Sequence, residues 1–268
     1  MHLTLESATL HFRSTPPVSG DEYPCPALRG LLGWMLAAHP DLQAREFLAQ
    51  RFHPESPAIP SWTMWSEQAI NHPDDVFSVE FSCSGSTARD DLRCIVEALS
   101  RRDIPLKTPL ATHYVNLLDA SGFRSHVIPA PDPHSLWKSS HEPITLHCIS
   151  PIFLRSGSTT IGPKEFSLKG LIESIRVRFG RLSNTLVRDL PPAGSVETLS
   201  IRMSQVLLSL PIGQHKKEIT PLFGSVTFRP LDPLSLAWLS IGEAIGAGGS
   251  VSFGLGAFRL LHEADPYE

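Results

Sequence analysis

Six glycines, Gly242, Gly246, Gly248, Gly249, Gly254 and Gly256, fall within fifteen residues of this 268-residue chain. Glycine loses more backbone entropy on ordering than any other residue, so this density implies tight turns or a backbone that approaches a ligand closely. Upstream, Arg155, Lys164, Lys169, Arg176, Arg178, Arg181 and Arg188 face only Glu165 and Glu173 over the same stretch. The whole chain carries a net charge of −4, yet phosphate binding needs only a local basic face. Lys216 and Lys217, beside Gly213, extend the cationic set, and arginine outnumbers lysine, which suits bidentate phosphate and base recognition. Metal chemistry has no such support. His72, His113, His126, His134, His141 and His147 lack paired ligand spacing, and Cys25, Cys83, Cys94 and Cys148 form no C-x-x-C pair. No metal, no cofactor and no disulfide framework is expected.

The elements that must position these residues follow from periodicity. A first strand over about Leu3–Phe12 changes phase between Leu5 and Ala8, which predicts a bulge. Pro26 starts a helix whose stripe is Leu28, Leu31, Leu32, Met35 and Leu36, and a second helix runs from Pro40 to Phe52. Phe77, Val79, Phe81 and Cys83 alternate as a strand, and a helix begins near Thr87 with Asp90 and Asp91 in its first turn. Ala120-Ser121-Gly122 reads as a hairpin turn between strands at Thr112–Leu118 and Phe123–Ile128. After linker composition at Ala130–Glu142 come strand Ile144–Leu154, helix Phe166–Leu182, helix Val196–Leu210, strand Phe223–Arg229, helix Pro233–Ile245 and strand Ser250–Leu261. The expected architecture is α+β: two tandem ferredoxin-like domains with antiparallel sheets, 1–135 and 142–268. No apolar run approaches a membrane span and the start lacks a basic-then-apolar signal, so no membrane partner and a cytoplasmic location are expected.

The run LAWLSIGEAIGAGGSVSFGLGAFRLL at Leu236–Leu261 resembles the carboxy-terminal glycine-rich motif of the CRISPR repeat-processing endoribonucleases of the RAMP superfamily. Gly224-Ser225-Val226-Thr227-Phe228, Pro151–Arg155, the helix Phe166–Leu182 and the "LRG" segment at Ala27–Gly33 are similar to further parts of that family. The chain departs from it at Gly249 and Ala257, where related motifs often carry lysine and arginine, and at Trp34, near a position that is sometimes histidine.

The resemblance implies metal-independent cleavage of CRISPR precursor RNA beside the repeat stem-loop by attack of a ribose 2′-hydroxyl, with the mature crRNA retained. Such chemistry needs a base, an acid and a cation for the phosphorane. In the family these groups gather near the first helical region, which here makes Tyr23, Arg29, His39, Arg45 and His53 the catalytic candidates. His39 is equally placed to cap a helix and His53 to end one, and an arginine-centred site at Arg29 and Arg45 competes with histidine chemistry. The candidate RNA contacts are Lys169, Arg176, Arg178, Arg181, Arg188, Lys216, Lys217, Gly246, Gly248, Gly249, Ser250 and Ser252. A solvated helix face produces the same charge run. The implied partners are the repeat RNA and other CRISPR effector subunits. The rival reading is a non-catalytic RAMP subunit that binds crRNA within an effector complex.

Overall fold

The computed structural model describes residues 1–15, 62–65, 76–85, 87–100, 104–107, 112–132, 142–212, 215–251 and 254–262. The helices expected over 26–36 and 40–52 lie outside these residues, as do Tyr23, Arg29, His39, Arg45, His53 and Ser252.

In the first half, β1 (His2–Thr15), β2 (Trp62–Trp65), β3 (Val76–Ser84), α1 (Ala88–Leu99), β4 (Ile104–Lys107) and β5 (Thr112–Pro129) build a five-stranded sheet in the order β2-β3-β1-β5-β4. Every pairing is antiparallel, and β1 is central because Leu10 and Phe12 sit opposite Val79 and Phe77 on the face that α1 covers. The bulge expected in β1 lies instead in its partner: between the Ser7–Arg124 and Thr9–Ser121 pairs β5 carries one extra residue, while β1 pairs with β3 without a break. The hairpin expected at Ala120–Gly122 is absent. β5 runs unbroken for 18 residues, and Gly122, at φ 61°, absorbs the irregularity within the strand. Turn composition favours a reversal here, but the continuous partner strand β1 keeps the chain extended.

The second half contains β6 (Ile144–Cys148), the short hairpin β7–β8 (Arg155–Ser156, Thr159–Thr160), α2 (Leu168–Leu182) and a 3₁₀ turn (Val187–Asp189). It continues with β9 (Val196–Gln205), the hairpin β10–β11 (Leu208–Ile212, His215–Ile219), β12 (Leu222–Pro230), α3 (Pro233–Ile245) and β13 (Phe258–His262). The sheet order β13-β6-β12-β9 is that of a ferredoxin-like βαββαβ unit, with α2 and α3 as its two crossovers. The helix expected over Val196–Leu210 is a strand. Leu199, Ile201 and Met203 alternate with Ser200 and Arg202, and nine residues of register against β12 override the local helix reading. The expected strands at 144–154 and 250–261 shrink to β6 and β13, because the remaining residues are drawn into a loop system around the glycines.

The stripe Leu168, Leu171, Ile172, Ile175 and Phe179 of α2 is buried against β6, β12 and α3, each side chain contributing about 1.5–3 kcal/mol. Leu3, at the start of β1, belongs to this same buried cluster, so the first sheet touches the second core. Helix α3 starts on Asp232, whose carboxylate accepts the N–H of Ser235 at 2.9 Å, with Pro233 at its first position. The helices cross closely at Gly242: a Cβ there would collide with Ile175 and come within 2.7 Å of Phe258 Cζ. Gly242→Val is therefore expected to destabilise the protein by about 1–3 kcal/mol, read by chemical denaturation. A neutral or stabilised variant would mean that the two helices are not in this contact.

Candidate nucleic-acid interface

Helix α2 does not present its cations as one outward face. Arg176 and Arg178 are buried, at 9% and 8% exposure. Arg176 donates Nε to the Pro191 carbonyl at 2.7 Å, Nη2 to Leu190 and Val187 carbonyls at 3.3 and 3.4 Å, and Nη1 to Glu173 at 2.6 Å. Its guanidinium also lies 6.0 Å from the Trp238 ring centroid, while Trp238 Nε1 donates to the Pro192 carbonyl at 2.9 Å. Two planar side chains thus fasten the 187–192 segment to the helix pair. Five directed donors fit this task better than an ammonium would.

Arg178 lies on the opposite flank and donates Nε to the Ile245 carbonyl at 2.7 Å, the last carbonyl of α3. A cation there meets the negative end of the helix dipole. Its Nη2 is buried with no hydrogen-bond partner among the described residues, and burial draws the guanidinium pKa down to about 10. The group remains charged at neutral pH. The expectation that both arginines emerge for RNA is corrected by packing: long side chains beside a core stripe fold inward where carbonyls await them.

Of the basic run at 155–188 and the hairpin lysines, Arg155, Lys164, Lys169, Arg181, Arg188 and Lys217 reach solvent. Lys169 and Arg181 are twelve residues apart, about 120° around the helix, and so do not form a single stripe. Arg155 bonds the Ser158 carbonyl at 2.9 Å, and Arg188 lies 3.8 Å from Asp189.

The glycine segment follows from the end of α3. Gly246, at φ 76°, terminates the helix, its N–H donating to the Gly242 carbonyl at 2.8 Å. The next amides are also engaged within the protein. Ala247 donates to Gly256, Gly248 to Ser174 Oγ of α2 at 3.1 Å, and Gly249 to the Phe153 carbonyl at 2.7 Å. On the return, Gly256 donates to the Pro151 carbonyl at 2.9 Å and Ala257 to Ser150 Oγ at 2.9 Å. A Cβ on Gly256 would collide with the Ala247 carbonyl, and one on Gly248 would stand 2.5 Å from the Phe153 carbonyl. These glycines let protein backbone approach protein backbone, so these amides are not presented to a ligand. Gly249 differs, being exposed, with space for a Cβ 3.4 Å from the Phe153 ring. Ser250 follows at φ 59°.

Phe153 and Leu255 of this loop system also pack with Leu210, Ile219 and Leu208 of the β10–β11 hairpin. The hairpin that carries Lys216 and Lys217 is therefore rooted on the glycine segment, with Lys217 exposed and paired with Leu210. The arrangement offers an outward Gly249 beside a cationic hairpin, on a rigid base. Sequence reading missed Ser174, whose hydroxyl accepts the Gly248 amide, and the grouping of the hairpin with the loop. Only the apolar residues Leu208, Leu210 and Ile219 hinted at the latter.

These contacts separate structural arginines from surface ones. Arg176→Ala is expected to lower stability by about 2–4 kcal/mol, and Arg181→Ala to change it by less than about 0.5 kcal/mol, in denaturant unfolding. Equal and small effects at both positions would contradict the inward placement of Arg176.

No family model matches the chain, and no curated protein matches it either. Solved structures do. A Cas6 product complex superposes with a TM-score of 0.58 at 14% identity, over 96% of this chain and 98% of that one. A Cas6-related protein of Pyrococcus furiosus gives 0.55 at 14% identity, covering 99% and 100%. A RAMP protein described as binding different RNA substrates gives 0.56 at 15% identity, covering 96% and 99%. Along nearly its whole length, the chain has the tandem ferredoxin-like fold of the Cas6 and RAMP structures.

Proposed function

We propose that this protein is a CRISPR-associated RNA-binding protein of the Cas6 type that cleaves precursor RNA beside a repeat stem-loop and retains the product. The observation that supports this reading most strongly is the end-to-end likeness of fold to a Cas6 product complex. The cationic hairpin rooted on the glycine segment supports it from a second direction, since A-form stems are bound largely through phosphates, 2′-hydroxyls and shape. Other CRISPR effector subunits and the repeat RNA are the partners this reading names.

The proposed chemistry is transesterification. A base removes the proton of the 2′-hydroxyl, the oxygen attacks the adjacent phosphorus, and the P–O5′ bond breaks as an acid protonates the leaving oxygen. The products are a 2′,3′-cyclic phosphate and a 5′-hydroxyl. Tyr23, Arg29, His39, Arg45 and His53 are the residues proposed to supply base, acid and cation, with histidine suited to proton transfer near neutral pH and arginine to the phosphorane charge. The contacts proposed for RNA are Lys216, Lys217, Gly249, Ser250 and Ser252, together with the surface cations Lys169, Arg181 and Arg188.

A binding-only subunit is the second reading, favoured by the likeness to a RAMP protein described by its RNA binding. End mapping separates the two. Purified protein incubated with repeat RNA in EDTA is expected to yield a cyclic phosphate end, and a 2′-deoxy nucleotide before the cut is expected to abolish cleavage. Strict dependence on magnesium or a 3′-hydroxyl product would contradict the mechanism, and tight binding with no cleavage would select the binding-only reading.

A further inference from the structure

The second sheet packs α2 and α3 on one face, where Ile144, Leu146, Cys148, Val226, Phe228 and Phe258 are buried. Residues directly opposite one another on neighbouring strands share a face, so the register fixes what the other face displays. Arg259 of β13 stands opposite His147 of β6, His147 opposite Ser225 of β12, and Ser225 opposite Arg202 of β9. These four residues form one row across all four strands, about 14 Å long over three strand spacings. Arg259, His147 and Arg202 are exposed, and Ser225 is half-buried.

Among the described residues, the flanking rows carry no carboxylate. On one side lie Leu261, Thr145, Thr227 and Ser200, with the Thr145 and Thr227 hydroxyls 3.0 Å apart. On the other lies Phe223, two residues before Ser225 and so on the same face, 37% exposed and opposite Ser204. Glu197, at the far end of β9, is paired with Arg229 at 2.6 Å. The surface is therefore a cationic row beside an exposed aromatic ring and a band of hydroxyls.

We propose that this open face binds single-stranded RNA, with the sugar-phosphate backbone crossing the strands along Arg259, His147 and Arg202 and a base stacked on Phe223. The proposal rests on the RNA-binding reading above and adds a second surface, separate from the glycine segment and its hairpin. Charge complementarity selects a polyanion. The exposed ring selects a strand whose bases are free to splay, because a duplex keeps its bases stacked on one another.

The test uses the full chain, a short oligouridylate of about ten nucleotides and a blunt-ended RNA hairpin, with affinities read by fluorescence anisotropy across a salt series. The Arg202→Ala/Arg259→Ala variant is expected to lose about ten-fold or more in affinity for oligouridylate, with its log–log salt slope shallower by about 1.4. Phe223→Ala is expected to cost about ten-fold. Hairpin affinity should stay unchanged in both, and Arg202→Lys/Arg259→Lys should restore oligouridylate binding while circular dichroism confirms the fold. Unchanged oligouridylate affinity and slope in the double alanine variant would overturn the proposal, as would a parallel loss on the hairpin. Sedimentation showing a wild-type dimer that Arg202→Glu dissociates would assign the face to a second copy and overturn it as well. Wild-type protein that binds the hairpin but not oligouridylate sinks this proposal alone, whereas binding of neither RNA removes the broader reading with it.

Discussion

Arg178 reaches the final carbonyl of α3 from inside the molecule, and the path of the glycine segment is set from that hydrogen bond onward. The guanidinium is desolvated and one of its nitrogens has no partner among the described residues, so the contact comes at an energetic cost that the surrounding packing must offset. What it secures is position. With the end of α3 held against α2, Gly246 turns the chain, Ser174 receives the Gly248 amide, and the Phe153 carbonyl receives that of Gly249. Phe153 in turn packs beneath the β10–β11 hairpin. A line of contacts therefore runs from the buried face of α2 to the cationic hairpin through backbone that only glycine can bring close enough.

This line explains why two features that looked independent belong together. The basic run of α2 and the glycine cluster are separated by some sixty residues of sequence, yet Arg178 and Ser174 are the positions where they meet. The opposite flank of α2 plays the matching role at the other end of α3. There Arg176 and Trp238 fasten the carbonyls of 187–192, next to the turn where Ser195 donates to Asp232, the cap of α3. Held at both ends, α3 is a rigid strut from which the loop projects.

Much of the fold was legible in the chain. The helical stripe from Leu168 to Phe179 and the apolar segment from Pro233 to Ile245 are periodic over several turns, and periodicity is the strongest local signal. The phase change in β1 marks the place of an irregularity, but the extra residue sits in β5, opposite Ser7–Thr9. Val196–Gln205 reads as helix although Leu199, Ile201 and Met203 alternate with polar residues, because the pairing with β12 that decides the matter lies outside any local window. At Ala120–Gly122 the local turn residues lost to pairing with β1, a long-range contact that no window of sequence contains. The site was less legible still. Helical spacing places Arg176 and Arg178 on the flanks of a stripe but cannot say which carbonyls wait beside each flank. The row formed by His147, Arg202, Ser225 and Arg259 is scattered over the second half of the chain and exists only through strand register.

The central claim is that the glycine segment is docked on the protein's own backbone, holding the hairpin as part of one rigid unit with α2 and α3. Amide hydrogen exchange of the free protein measures this directly at Ala247, Gly248, Gly249 and Gly256. Docked amides are expected to exchange only with the opening of the α2–α3 core, at rates close to those of mid-helix amides in α3. Exchange at the rate of an unstructured peptide while α3 stays protected would contradict the account.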